Sequence, residues 1–180
     1  AYVPSGVLWG GFGGDDPAPR SAWTYRGEPL GYVPTSQSPE VTAIFEDAVK
    51  HGKPIPLTPS CPSSVDALGD DLGAALIPVE KINGPVLLVS GEDDQMWPST
   101  RLGDIAMQRL AAHSFPHRFE HLHYPGAGHA ILSPHSPTTI NYLRHPADGN
   151  LYAIGGLPKE QAFANEDSWA KVLAFLKAEL

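Results

Sequence analysis

The sequence predicts an α/β fold, in which a mostly parallel sheet carries helices on both of its faces. Residues 85–90 form a continuous apolar run between turn residues, which is typical of a strand buried inside a parallel sheet. A helix is predicted from Pro98-Ser99 to about Ala112, followed by a second strand at residues 119–124. Strand, helix and strand in this order predict one βαβ unit.

The chain before this unit is predicted to contain one short strand and one helix. The strand lies within residues 2–9, where Pro4 limits its pairing. The helix begins after Ser38, a favoured N-cap residue, and ends at Gly52. Its buried face is expected to comprise Val41, Ile44, Phe45, Ala48 and Val49. Residues 15–37 and 53–73 are expected to be irregular, because prolines and glycines interrupt them.

The chain after the unit is predicted to form a long loop over residues 130–158 and a final helix over about 160–179. The helix is expected to bury Trp169, Val172, Leu173, Leu176 and Leu180. Near the other end of the chain, the glycine-rich residues 10–14 are interpreted as a mobile surface loop. Asp15 and Asp16 follow them and would repel a phosphate, which argues against a phosphate-binding loop.

Composition limits the classes of protein that this chain can represent. With 180 residues, the chain suits a single domain spanning residues 1–180. The net charge of −8 and the scattered Lys and Arg residues argue against a nucleic-acid partner. The single cysteine, Cys61, favours a reducing compartment, and we expect a cytoplasmic location. No apolar run approaches the roughly 20 residues that span a membrane. The chain does not begin with Met, so we expect it to be a piece of a longer protein.

Two polar residues follow the two predicted strands of the βαβ unit. Asp94 lies in Gly91-x-x-Asp94-x-x-x-Pro98, and His129 ends Pro-Gly-Ala-Gly-His. The carboxyl ends of parallel strands meet at one edge of the sheet, and α/β hydrolases present the acid and base of their catalytic triad there, in this chain order. The sequence therefore predicts Asp94 as the acid and His129 as the base. Asp93 in place of Asp94, or an aspartate that only caps the next helix, are the alternatives.

Other residues invite further functional interpretations. Trp97, close to the acid, is predicted to line the substrate pocket, with simple core packing as the alternative. His113 and His117 are four residues apart, and His121 and His123 alternate along a predicted strand. A zinc site needs three or four converging ligands, and a helix end separates the first pair. The sequence predicts neither a metal site nor a cofactor.

A nucleophile is the part of the triad that this sequence does not contain. No Gly-x-Ser-x-Gly or Gly-x-Cys-x-Gly pentapeptide occurs, and Ser60-Cys61-Pro62 lacks both glycines of such an elbow. The nucleophile is therefore expected on a companion segment. A parallel sheet that ends beside the nucleophile strand has an exposed edge. We expect this edge to pair with the companion segment or to drive self-association.

Several longer motifs are more specific than an acid and a histidine alone. They are Ile77-Pro78-Val79-Glu80-Lys81-Ile82, Gly84-Pro85-Val86-Leu87-Leu88-Val89-Ser90-Gly91, Asp93-Asp94-Gln95-Met96-Trp97-Pro98-Ser99, Tyr124-Pro125-Gly126-Ala127-Gly128-His129, Gly155-Gly156 and Asp167-Ser168-Trp169. With these motifs, residues 77–180 resemble the C-terminal catalytic region of the acyl-CoA thioesterase and bile-acid-CoA:amino-acid N-acyltransferase family.

The resemblance implies the C-terminal portion of an α/β-hydrolase fold, in which Asp94 and His129 match the family's acid and base. It also implies an upstream Ser or Cys nucleophile, an acyl-CoA substrate and an acyl-enzyme intermediate. Hydrolysis would release CoA and a carboxylic acid, whereas the acyltransferase branch passes the acyl group to an amino acid. The alternatives are another α/β hydrolase, such as a carboxylesterase or a peptidase-like enzyme, and a non-catalytic truncated fragment.

Overall fold

A computed structural model describes residues 1–11, 20–34, 38–146 and 148–179 of the chain. Most of the predicted glycine-rich loop at residues 10–14 lies outside these residues. In chain order the elements are β1 (Thr24–Tyr25), β2 (Glu28–Pro29), α1 (Pro39–Lys50), α2 (Ser60–Leu68), 3₁₀ turns at Gly69–Ala75 and Val79–Lys81, β3 (Val86–Gly91), α3 (Ser99–Ala112), β4 (Phe119–Tyr124), β5 (Tyr142–Arg144), β6 (Leu151–Ala153) and α4 (Pro158–Glu179).

The predicted βαβ unit lies at the centre of the fold. β3 and β4 pair in parallel along their whole length, from Val86 opposite Phe119 to Gly91 opposite Tyr124. All six residues of β3 are buried, as the apolar run predicts. In the described part of the chain, each sheet has only two strands and only the β3–β4 pair is parallel, so a larger, mostly parallel sheet stays a prediction.

Helices pack on opposite faces of β3, because successive side chains of a strand point in opposite directions. Val86 and Leu88 pack with Ala106 and Leu110 of α3. Leu87 and Val89 belong to a second cluster that contains Ala164 and Phe175 of α4. The two helices therefore enclose β3 between them.

The N-terminal segment of the chain covers the edge of β3 that faces away from β4. Tyr2 forms a parallel bridge to Val89. The backbone N–H of Val3 donates to the Val89 carbonyl at 2.7 Å, and the Val89 N–H donates to Ala1 at 2.9 Å. The strand predicted within residues 2–9 is present only as isolated bridges, since the chain turns away after Val3.

Two segments that we expected to be irregular contain regular structure. Within residues 53–73, α2 and a 3₁₀ turn are present. Pro62 is compatible with α2 because it lies in the first turn, where a backbone N–H has no partner inside the helix. Within residues 130–158, β5 and β6 form an antiparallel pair of three residues each. Strands this short leave no readable alternation in a sequence.

The helix faces are only partly as predicted. The Ser38 hydroxyl accepts from the Val41 N–H at 3.3 Å, as expected for an N-cap, but Ile44 and Val49 of α1 are exposed. In α4, Trp169, Leu173 and Leu176 are exposed, and Val172 is partly buried. Leu180 lies outside the described residues. The buried residues of α4 are instead Gln161, Ala164, Asn165, Ser168 and Phe175. The prediction for α4 was therefore wrong, because polar residues occupy the face that packs on the rest of the chain.

We predict that Gly91→Ala destabilises the fold. A Cβ at Gly91 would lie within 3.0 Å of the carbonyl oxygens of Ala127 and Gly128, which are backbone atoms that cannot move aside independently. Overpacking of this kind typically costs about 1–3 kcal/mol. We expect the free energy of unfolding, measured by denaturant titration, to decrease by about 2 kcal/mol. Gly73→Ala is the control, because a Cβ there would meet no atom within 4 Å. Equal stability of the two variants would contradict this description of the packing.

Candidate active site

The turn at residues 92–97, which we call the acid turn because it contains Asp93 and Asp94, follows β3 directly and holds a buried carboxylate. Only 3% of the surface of Asp94 is exposed. Its Oδ1 accepts backbone N–H bonds from Met96 at 2.9 Å and Trp97 at 3.2 Å. The Thr58 hydroxyl donates to the Asp94 carbonyl at 2.6 Å, so both the side chain and the backbone of Asp94 are held in place.

The turn at residues 125–129, which we call the histidine turn, follows β4 and brings His129 against this carboxylate. His129 Nδ1 lies 3.0 Å from Asp94 Oδ2 and 3.2 Å from Oδ1. A carboxylate accepts and does not donate hydrogen bonds, so the proton of this contact belongs to Nδ1 and leaves Nε2 as the acceptor of the neutral ring. The His129 side chain is 21% exposed and that of Asp94 only 1%. The pair therefore has one buried end and one accessible end.

Asp93, the alternative acid, binds elsewhere. Its Oδ2 accepts from the Gly156 N–H at 2.9 Å, and its Oδ1 accepts from Gln95 Nε2 at 2.9 Å. The Asp93 N–H donates to the Ala127 carbonyl at 2.9 Å. Asp93 thus joins three turns to one another, while Asp94 is the carboxylate in contact with His129.

Trp97 contacts the imidazole of His129 directly. The two rings meet edge to face, with centroids 4.6 Å apart and planes at 87°. The indole Nε1 donates to the Val3 carbonyl at 3.2 Å, which fixes the orientation of the ring. Trp97 also packs against a cluster that contains Val7 and Leu102. It therefore has both a core contact and a contact to the histidine.

No described residue makes a hydrogen bond to Nε2 of His129, the nitrogen that would accept a proton from a nucleophile. Cys61, the single cysteine, is buried, and its thiol lies 3.8 Å from the Leu57 carbonyl. Burial raises the pKa of the Cys61 thiol to about 11, with Ser60 and Asp94 as smaller influences. A nucleophilic cysteine requires the opposite, a thiolate stabilised at neutral pH. Cys61 does not match that role.

Four of the other histidines lie beside a single carboxylate each: His51, His121, His123 and His145. His121 Nδ1 lies 3.0 Å from Asp104, and its Nε2 lies 2.8 Å from the Ser90 hydroxyl. Burial lowers the pKa of His121, and Asp104 opposes this effect. His123 Nδ1 lies 2.8 Å from Glu92. His113 and His117 do not come together on a shared ligand, and among the residues that the structure describes no three His, Cys, Asp or Glu side chains could hold a metal ion.

Sequence reasoning missed two groups around the site. Thr58, which binds the acid turn, comes from a proline-rich stretch without a readable pattern. Gln161 of α4 is buried against the histidine turn, where it accepts from the Gly128 N–H at 2.8 Å. A glutamine on the core-facing side of a helix is a signal that sequence reading could have used, because a buried amide requires partners.

Comparison with known proteins assigns the family. Residues 62–180 match the family described as BAAT / Acyl-CoA thioester hydrolase C terminal. The chain belongs to this family. The matched residues include Asp94, His129 and all of the βαβ unit. Membership places the chain among the α/β hydrolases, in agreement with the resemblance found in its motifs.

The curated relatives are thioesterases and acyltransferases. The chain is 37% identical over 115 residues to the peroxisomal succinyl-coenzyme A thioesterase of Mus musculus, which covers 64% of this chain and 27% of that protein. It is 35% identical over 106 residues to acyl-coenzyme A thioesterase 6 of Homo sapiens, and this match covers 59% of this chain and 25% of that protein. It is 35% identical over 105 residues to acyl-coenzyme A amino acid N-acyltransferase 1 of Mus musculus, and this match covers 58% of this chain and 25% of that protein. The chain thus spans about a quarter of the length of these relatives.

Within residues 1–11, 20–34, 38–146 and 148–179, none of the helices combines the length and the apolar character needed to span a membrane.

We predict that Cys61 reacts slowly with thiol reagents in the folded protein. The raised pKa keeps the side chain as a thiol at pH 8, and burial blocks access to it. Iodoacetamide labelling followed by mass spectrometry should show little modification of the native chain and full modification in denaturant. Rapid labelling of the native chain would mean that Cys61 is an accessible thiolate and would reopen its assignment.

Proposed function

We propose that this chain is the C-terminal part of an α/β-hydrolase domain, spanning residues 1–180, and that it supplies the acid and base for acyl-CoA thioester hydrolysis. The observation that supports this most is the contact between Asp94 and His129 at 3.0 Å, which follows two adjacent parallel strands within the family match. The same chemistry fits the thioesterase names of the relatives.

In the proposed mechanism, His129 is the base and then the acid. Nε2 removes the proton from an upstream Ser or Cys, whose heteroatom attacks the thioester carbonyl to give a tetrahedral intermediate. Collapse breaks the carbon–sulfur bond, and the imidazolium gives its proton to the departing CoA thiolate. Water, deprotonated by Nε2, then attacks the acyl-enzyme, and the carboxylic acid leaves as the nucleophile regains its proton. Asp94 keeps Nδ1 protonated and stabilises the imidazolium throughout.

Trp97 is proposed to form part of the wall of the substrate pocket. Its ring meets the imidazole of His129 edge to face, so an apolar surface lies beside the proposed base. An apolar wall there limits the access of water to the imidazole. The ring contact also restricts the rotation of His129, which complements the hydrogen bond to Asp94.

The nucleophile is proposed to come from a companion segment that packs on this chain. Three large apolar residues of α4, Trp169, Leu173 and Leu176, are exposed along one side of the helix. Their spacing of four and three residues forms a continuous stripe, which we call the α4 stripe. With the outer edge of residues 1–3, this stripe offers a surface for the companion segment, or for a second copy of the chain when that segment is missing.

The alternatives share the Asp94–His129 contact and differ in the reaction that the full-length protein would catalyse. A carboxylesterase or peptidase-like hydrolase would use the same acid and base on a different acyl group. An acyltransferase, suggested by the N-acyltransferase relative, would replace water with an amino acid at the second step. A non-catalytic fragment would keep the Asp94–His129 contact without turnover.

The cytoplasmic location stays a prediction, which imaging of a fluorescent fusion of the full-length protein would check.

We predict that Asp94→Asn and His129→Ala each lower acyl-CoA hydrolysis by the full-length protein at least about a thousandfold in kcat, because each removes a member of a triad that acts as a unit. Release of the CoA thiol provides the measurement, with p-nitrophenyl esters and amino-acid acceptors assayed in parallel. Preference for the ester, or transfer to the amino acid, would support one of the alternative activities.

The chain contains a matched control pair. Glu92 and His123 also form a carboxylate–histidine contact through Nδ1, at 2.8 Å, but both side chains are well exposed. Glu92→Gln and His123→Ala should leave turnover within about twofold of the unchanged protein, since an exposed pair contributes little. Loss of activity in the control pair comparable to that of Asp94→Asn would contradict the assignment of the acid and base.

We predict that the chain of residues 1–180 self-associates in isolation and that Leu173→Glu increases its monomeric fraction. Leu173 is 51% exposed in the middle of the α4 stripe, where a carboxylate disrupts apolar contacts between copies. Ile44→Glu in α1 is the control, since Ile44 is 41% exposed on another helix. Sedimentation velocity measures both variants. A monomeric chain of unchanged sequence at tens of micromolar would exclude self-association through this surface.

A further inference from the structure

The side-chain amide of Gln161 bonds to the backbone on both sides of His129. Its Oε1 accepts from the N–H of Gly128 at 2.8 Å, and its Nε2 donates to the carbonyl of Ala130 at 2.8 Å. Gly128 immediately precedes the histidine and Ala130 immediately follows it. Gln161 itself is 5% exposed, so these bonds form away from solvent.

The orientation of this amide is determined by its surroundings. Nε2 also lies 3.3 Å from Asn165 Oδ1, one turn further along α4. Asn165 Oδ1 accepts from the Leu132 N–H at 2.9 Å, so it is an acceptor and must face the donating end of Gln161. Gly156 leaves room for the amide, because a Cβ there would lie 2.6 Å from Gln161 Oε1. The reversed amide would place two acceptors against each other and two donors against each other.

We propose that Gln161 is a positioning residue for His129, an inference that rests on the proposed catalytic role of the histidine. Gln161 does not touch the imidazole. It holds the peptide units that carry the ring, together with the bond from the His129 N–H to the Ile154 carbonyl at 2.7 Å. These three backbone bonds set the direction of the Cα–Cβ bond, and the contact with Asp94 sets the rotation of the ring.

This arrangement matters because the proposed reaction depends on small displacements. Misplacement of a catalytic group by about 1 Å can cost about a hundredfold in rate. Without the amide of Gln161, the buried Gly128 N–H and the Ala130 carbonyl lose their hydrogen-bond partners. Unpaired polar groups cost free energy, so the histidine turn would rearrange to find other partners. A shift of the turn would lengthen the contact between Nδ1 and Asp94, because Asp94 is held independently by the acid turn.

The decisive variant is Gln161→Glu, which has nearly the same shape. A carboxylate still accepts from the Gly128 N–H but cannot donate to the Ala130 carbonyl. Gln161→Ala removes both bonds and serves as a second variant. The control is Gln108→Glu, a glutamine exposed on α3 whose side chain makes none of these contacts.

The first measurement is the tautomer of His129 in residues 1–180, read from the ring nitrogens in an ¹⁵N NMR spectrum at a pH where the ring is neutral. The unchanged chain should show the Nδ1–H form, and Gln161→Glu or Gln161→Ala a mixture of both forms. His121 is an internal reference, because it has its own carboxylate contact with Asp104 at 3.0 Å and should not change. An unchanged His129 tautomer in both Gln161 variants would overturn the proposal, even with a lower thermal midpoint.

The second measurement is turnover by the full-length protein. We expect kcat for acyl-CoA to fall by about ten- to a hundredfold in Gln161→Glu, with KM within about twofold, because positioning acts on the reacting nitrogen. Unchanged kcat in folded Gln161→Glu would overturn the proposal. If no variant of the full-length protein, including the unchanged one, hydrolyses acyl-CoA, the proposed function fails, and the tautomer of His129 alone decides whether Gln161 positions the ring.

Discussion

The close approach of three backbone turns underlies the whole candidate site. The acid turn, the histidine turn and the turn at Gly155-Gly156 meet so tightly that a Cβ at Gly91, Gly128 or Gly155 would come within 3.0 Å of backbone atoms of a neighbouring turn. Glycine is the residue that permits such contacts, and at Gly155 it also permits a φ of +70°. The hydrogen bond between Asp94 and His129 forms because the turns that carry these residues are in direct contact.

The central unit and the acid–histidine pair could be predicted from the sequence because their signals are local. The apolar run of β3 predicts that the strand is buried. The positions of Asp94 and His129 indicate that each residue follows one strand of a parallel pair. The sequence did not decide between Asp93 and Asp94 as the partner of His129, and the reason is physical. Both carboxylates lie in one turn, and only the three-dimensional arrangement shows that Asp93 faces Gly156 while Asp94 faces His129.

The remaining elements depend on contacts that the sequence does not display. α2 includes Pro62, which ordinarily indicates a loop, and it is compatible with a helix only at a first-turn position. The prediction for α4 failed because the rule of apolar burial was applied to a helix whose inner face carries Gln161 and Asn165. Those amides are buried since they satisfy backbone groups of the histidine turn, and such partners are distant in sequence.

The two faces of α4 then have separate consequences. The inner face holds the backbone around His129, so residues of this chain orient the imidazole. The outer face carries the apolar α4 stripe, which has no covering element among the described residues. Because one rigid helix joins both faces, a segment that covered the stripe would be placed at a defined distance and orientation from the imidazole. A nucleophile on that segment would therefore meet a base that is already oriented. If the proposed function holds, preorganisation of this kind is the physical reason why a triad divided between two segments would act as one unit.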